Sequence, residues 1–289
     1  MTELRARRPS RLHTVELLRN FMQHSRAMKL LPILPLLLAT AAIASAAVKT
    51  ERVEYKQGDT PLEGWLVYDD TGGGKRPGVL VAHDWYGVSD YVKGRAEQLA
   101  KLGYVAFVAD IYGKDVRPQN QQEAGAAAGK FKNDRNLLRA RANAALDILK
   151  KDPKVDPARI AAIGYCFGGM TVLELARSGA DIAGVVSFHG SLDTPTPEDA
   201  KNIRCKVLIL HGADDPFAPA AQVAALKDEM SKAGVDYQIT LYGGAVHAFT
   251  REDSGNDPKK GIAYNEKADK RSWQAMKDFF AEIFAPASK

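Results

Sequence analysis

Gly164-Tyr165-Cys166-Phe167-Gly168-Gly169, directly after the apolar run Ile160 to Ile163, decides how this chain is read. A buried strand that breaks into Gly-x-Cys-x-Gly-Gly and then a helix matches a nucleophile elbow, with cysteine at its centre. Small residues two positions either side let the backbone turn tightly and present the side chain at the helix N-terminus. Partial positive charge there favours the thiolate, the form of cysteine that attacks. Taken alone, the stretch also suits a packed core turn, so its meaning depends on partners elsewhere.

Outward from the elbow, strands and helices alternate. Glu51 to Tyr55 and Leu62 to Tyr68 read as two antiparallel strands joined through Gln57-Gly58-Asp59. Gly78 to Ala82 and Tyr104 to Ala109 are continuous apolar runs, as expected of strands covered on both faces. Ile182 to Phe188, Lys206 to His211 and Tyr237 to Tyr242 continue the series. Helical spacing is found over Ser89 to Lys101, Gln121 to Ala128, Asp134 to Lys150, Gly169 to Arg177, Ala220 to Ala233 and Tyr264 to Phe284. Such alternation implies right-handed βαβ crossovers. The expected fold class is α/β, with a mainly parallel central sheet, helices on both faces and an antiparallel pair at one edge. Residues 47–289 read as one domain.

In open α/β sheets chemistry gathers beyond the C-terminal ends of the strands. Four strand ends carry it here: His83-Asp84-Trp85, Cys166, Asp214-Asp215 and His247. A nucleophilic thiol needs a base, and the base needs an orienting carboxylate. The order nucleophile, acid, histidine is that of α/β-hydrolases. The acid is Asp214 or Asp215. Pro216 forces the residue before it into extended backbone, which fixes the direction of Asp215 and favours it. His189 and His211 also end strands, and read as polar groups satisfied by their loops. No spacing resembles a metal site, and no metal or cofactor is expected.

The chain has 289 residues and 45% apolar content, ample for a sizeable core. Its formal charge of +5 lies entirely in residues 1–46, which hold seven basic and two acidic side chains. The remainder is neutral and lacks basic-aromatic interleaving, so nucleic acid is not an expected partner. Lys29, the apolar run Leu30 to Ala39 and Ala44-Ser45-Ala46 have the form of an export signal with its cleavage site, with Met28 as the natural start. Pro32 and Pro35 break the run, and no stable membrane anchor is expected. The expected location is the periplasm. The two cysteines, Cys166 and Cys205, are expected to stay unpaired, since a bridge would consume the elbow thiol. An exported thiol should then be partly shielded in a cleft.

With these stretches in place, the chain resembles the dienelactone hydrolase family of α/β-hydrolases. The resemblance rests on the elbow itself and on Ala82-His83-Asp84-Trp85-Tyr86-Gly87-Val88, Ala109-Asp110-Ile111-Tyr112-Gly113, Asp215-Pro216-Phe217-Ala218-Pro219 and Val246-His247-Ala248-Phe249-Thr250-Arg251. It implies hydrolysis of a small ester or lactone through an acyl-thioester, with Cys166 as nucleophile, His247 as base and Asp215 as its partner. It further implies oxyanion donors in the backbone N–H groups of Phe167 and Trp85. An acidic residue at the position of Asp84 would gate the resting thiol; the family usually has glutamate there, one methylene longer. Arg251 matches one of two arginines that hold an anionic substrate, whereas Gln119 to Glu123 offers no counterpart to the second.

Two other readings remain open on the residues alone. One is acyl transfer or peptidase-like thiol chemistry, distinguishable by products formed with added alcohols or amines. The other is an exported binding or thiol-stress protein on a hydrolase fold, against which the intact set of strand-end residues counts. The segments 114–132 and 191–204 are the expected pocket walls.

Overall fold

Strand residues that alternate between two hydrophobic clusters organise this molecule, a computed structural model that describes residues 48–285. The expected signal over residues 1–46 lies outside the described residues. In chain order the elements are β1 (Val48–Gln57), β2 (Thr60–Asp69), β3 (Arg76–Ala82), α1 (Asp90–Lys101), β4 (Val105–Ala109), α2 (Gln121–Asn133) and α3 (Arg135–Lys151). Then follow β5 (Val155–Tyr165), α4 (Phe167–Arg177), β6 (Gly184–Phe188), β7 (Lys206–Gly212), α5 (Ala220–Ala233), β8 (Tyr237–Tyr242) and α6 (Glu266–Ile283).

Successive side chains of a strand point to opposite faces, so a strand covered twice must be apolar throughout. In β4, Val105, Phe107 and Ala109 enter one cluster while Ala106 and Val108 enter the other. The first cluster is completed from α2, α3, α4 and α5 by Phe131, Leu138, Leu173 and Met230. Leu99 of α1 and Met276 and Phe280 of α6 complete the second. Helices therefore cover both faces, as the apolar runs required.

The eight strands lie in the order β1-β2-β4-β3-β5-β6-β7-β8. From β4 to β8 every pairing is parallel, whereas β1 pairs β2 and β2 pairs β4 antiparallel. The antiparallel pair thus closes one edge, as expected. All parallel strands end on the same side, which brings the ends of β3, β5, β6 and β7 together.

Some boundaries differ from the pattern reading. α2 runs to Asn133 rather than Ala128, because Ala124, Ala128 and Phe131 continue one buried stripe at helical spacing. β5 begins at Val155, five residues before its apolar run, and meets Arg76 and Pro77 across a register shift. α6 starts at Glu266, where the Asn265 side chain caps it by accepting the Ala268 N–H at 3.1 Å.

Candidate active site

Cys166 is the hinge between β5 and α4, and its backbone sits at φ +55°, ψ −113°. That left-handed geometry costs a non-glycine residue roughly 1–3 kcal/mol and persists only where its surroundings enforce it. Enforcement is visible on both sides. The Cys166 N–H donates to the Phe188 carbonyl at 3.0 Å, fastening the turn to β6. A Cβ on Gly164 would lie 1.9 Å from the Gly168 carbonyl oxygen, and one on Gly168 would lie 2.2 Å from that of Ala82. Only glycines permit so close an approach of strand, turn and helix.

The thiol stands half-buried at the N-terminus of α4. His247 Nε2 lies 3.0 Å from Cys166 Sγ, and His247 Nδ1 lies 2.8 Å from Asp215 Oδ2. Asp215 is held in turn by the N–H groups of Phe217 and Ala218, which donate to Oδ1 at 2.8 and 3.3 Å. A two-way backbone bridge fixes the loop of His247: its N–H donates to Gly261 at 3.1 Å, and its carbonyl accepts from Ala263 at 3.1 Å. Asp214 is spent otherwise, accepting the Gly244 N–H at 3.0 Å. The contact with histidine therefore falls to Asp215.

Burial opposes a charge on His247, but the Cys166 sulfur and the Asp215 carboxylate outweigh it and hold its pKa up to about 10. Burial would likewise raise Asp215, yet the His247 hydrogen bond and charge bring it below the usual carboxylate range. The geometry thus favours imidazolium between a sulfur and a carboxylate. Neither cysteine is bridged. Cys205 is buried, and burial pushes its thiol up to about 12, so it is inert at neutral pH.

Phe167 is the first residue of α4, so its N–H has no intrahelical acceptor. Trp85 lies in the loop after β3, where the Tyr112 hydroxyl donates to its carbonyl at 3.0 Å. The Tyr86 N–H donates to Asp84 Oδ1 at 2.9 Å, shaping the same loop.

The sequence treats Asp84 as a gate on the thiol and Arg251 as a grip on substrate. The structure joins the two to each other: Arg251 Nη1 donates to Asp84 Oδ2. The other edge of that guanidinium faces Asp253, with Nε donating to Oδ1 at 2.9 Å and Nη2 to Oδ2. Its Cζ lies 4.7 Å from the Tyr91 ring centroid.

His211 fits its bland reading in part: its Nε2 meets the Ala218 carbonyl at 2.8 Å, while its buried Nδ1 has no hydrogen-bond partner among the described residues. His189 carries more than that reading gave it. Its fully buried ring stands edge-on to His247, with centroids 5.4 Å apart. His189 Nε2 meets Thr250 Oγ1 at 2.7 Å, and that oxygen meets the Tyr91 hydroxyl at 2.6 Å. Burial, followed by the charge of His247, drives its pKa well below the usual histidine value, so it is neutral. The available signal was its place at the end of β6. Phe217, 54% exposed, stands on His247 as well, with ring centroids 5.3 Å apart. The 191–204 wall is tied to α3 through Arg135–Asp193 at 3.1 Å and Arg139–Asp199 at 2.7 Å.

A mostly parallel sheet with an elbow after its middle strand, an acid after a later one and a histidine before the last helix defines an α/β-hydrolase. Relatives sharpen this. A dienelactone hydrolase-like promiscuous phosphotriesterase from metagenomic libraries is 40% identical, with a TM-score of 0.78 over 83% of this chain and 100% of its own. The structure titled m3DLH is 41% identical at a TM-score of 0.79, with the same coverage. A putative carboxymethylenebutenolidase of Aquifex aeolicus is 25% identical, covering 80% of this chain and 97% of its own. Residues 62–284 match the dienelactone hydrolase family, and the chain belongs to it. It is a lactone and ester hydrolase by that membership.

Proposed function

We propose that the protein hydrolyses a small ester or lactone by covalent thiol catalysis, with Cys166 as nucleophile, His247 as acid and base, and Asp215 orienting His247. The single observation that carries this reading is the line Cys166 Sγ–His247 Nε2 at 3.0 Å and His247 Nδ1–Asp215 Oδ2 at 2.8 Å. The thiolate attacks the carbonyl carbon, and the oxyanion is met by the N–H groups of Phe167 and Trp85. His247 gives its proton to the departing alkoxide as the tetrahedral adduct collapses to a thioester. Water, deprotonated by His247, then attacks the thioester and releases the acid and the thiol. A ring-opened lactone leaves as one hydroxy acid.

Cys166→Ala should lower turnover on an activated aryl ester by on the order of 10⁴-fold or more. Intact-protein mass spectrometry during turnover should find an acyl adduct on Cys166. Wild-type rates in the variant would sink the mechanism. The 40% identity to a phosphotriesterase supports a second, subsidiary activity, in which the same thiolate attacks phosphorus and expels an aryl alkoxide. Export rests on the signal-like composition of residues 1–46, with residues 47–289 as the mature domain. N-terminal sequencing of secreted protein tests it, and a mature end far from Ala47 would overturn it.

A further inference from the structure

The one arginine that the sequence offers the substrate, Arg251, is already engaged. Arg251 is bracketed by Asp84 on Nη1 and by Asp253 on Nε and Nη2. Only 15% of its side chain is exposed, and Asp84 is 1% exposed. Two carboxylates around one guanidinium leave a local charge of minus one, and none of the arginine's three donor nitrogens lacks a partner. Arg117, in the 114–132 wall, is similarly spent: its Nη1 donates to the Gly113 carbonyl at 2.7 Å and the Val116 carbonyl at 3.0 Å, and its Nη2 faces Asp110 at 3.4 Å. An exposed apolar ring, Phe217, stands beside His247.

An arriving carboxylate would need either an unpaired cation or the eviction of Asp253, whose side chain is 66% exposed. It would meet the surplus negative charge first. A neutral acyl group meets no such barrier and gains apolar contact. From this we infer that the site selects uncharged esters and lactones and discriminates against those carrying a carboxylate near the scissile bond. The inference rests on the thiol-hydrolase reading above and departs from the anionic substrate that Arg251 suggested in the sequence. Asp253 is the electrostatic gatekeeper: it occupies the arginine edge that a carboxylate substrate would otherwise take.

The test uses two 4-nitrophenyl esters of equal length, one of adipic acid and one of adipamic acid, which differ only in a terminal carboxylate or carboxamide. Wild type should cleave the carboxamide ester with a kcat/KM at least 10-fold higher. Asp253→Asn, a surface change whose folding is checked by circular dichroism, should raise kcat/KM for the carboxylate ester and narrow the ratio about 5-fold. Equal cleavage of both, or preference for the carboxylate, overturns the inference while leaving the hydrolase reading intact. A preference unchanged in Asp253→Asn overturns the assignment to this charge trio. Failure to cleave either ester, or 4-nitrophenyl acetate, overturns the hydrolase reading itself.

Discussion

Asp84 and Asp215 are built alike and do different work. Each lies within three residues of the end of a buried strand, each is at most 3% exposed, and each accepts on Oδ1 the N–H two residues onward. Each then turns Oδ2 to a cationic side chain from one short loop, Arg251 for Asp84 and His247 for Asp215. The difference lies wholly in the partner. A guanidinium is always charged, so the Asp84 pair is fixed electrostatics. An imidazole exchanges its proton near neutrality, so the Asp215 pair can do chemistry. The same strand-end motif becomes scaffold or proposed catalytic machinery according to a residue more than thirty positions away.

Four substitutions can break or sharpen this contrast. Asp215→Asn should have the largest effect, lowering kcat by about 10³–10⁴-fold through loss of the correct histidine tautomer, with folding retained. Its pH profile should move too. The carboxylate favours imidazolium, so removing it should shift the alkaline limb of kcat/KM down from near pH 10. Because the folded pKa of His247 is raised, its contribution to stability is complete below about pH 6.5 and fades as pH rises towards 10. Wild-type melting temperature should record that decline, and Asp215→Asn should flatten it.

Arg251→Gln should instead act chiefly on stability, because it leaves Asp84 buried without its charge partner. A loss of about 3 kcal/mol in denaturant unfolding is expected, accompanied by a smaller fall in kcat. If kcat fell as far as in Asp215→Asn with no loss of stability, the division between the two pairs would be wrong. Thr250→Val should rank third, cutting the link from His189 and Tyr91 to the loop that carries both partners. About a 10-fold fall in kcat with little change in KM is expected, consistent with one buried hydrogen bond of roughly 1 kcal/mol. Asp214→Ala should do least, leaving kcat within about twofold, since Asp214 is exposed and only staples the Gly244 turn.

The legible parts of this protein were those with a local cause. β3 and β4 declare themselves because strands covered on both faces cannot afford polar side chains. Cys166, Asp215 and His247 could be named because each follows a strand in a recognised order, and the structure brings them into contact. Pro216 favoured Asp215 over Asp214 through its effect on the preceding backbone. The illegible parts were long-range. Nothing in Asp84-Trp85-Tyr86 announces that its carboxylate will meet a residue 167 positions later. His189 turns back under His247 through a backbone φ of +38°, which no local pattern around Phe188 encodes. The first half of β5 escaped for the opposite reason: Val155 to Arg159 has no apolar rhythm, and is a strand only because β3 lies alongside it.

The two free cysteines are unequal in a useful way. Cys205 is 6% exposed, with its thiol held protonated, whereas Cys166 is half-buried at a helix N-terminus. In folded protein at neutral pH a small alkylating reagent should therefore consume one equivalent per chain. That stoichiometry counts competent sites, so any preparation can be expressed as turnover per functional molecule rather than per milligram.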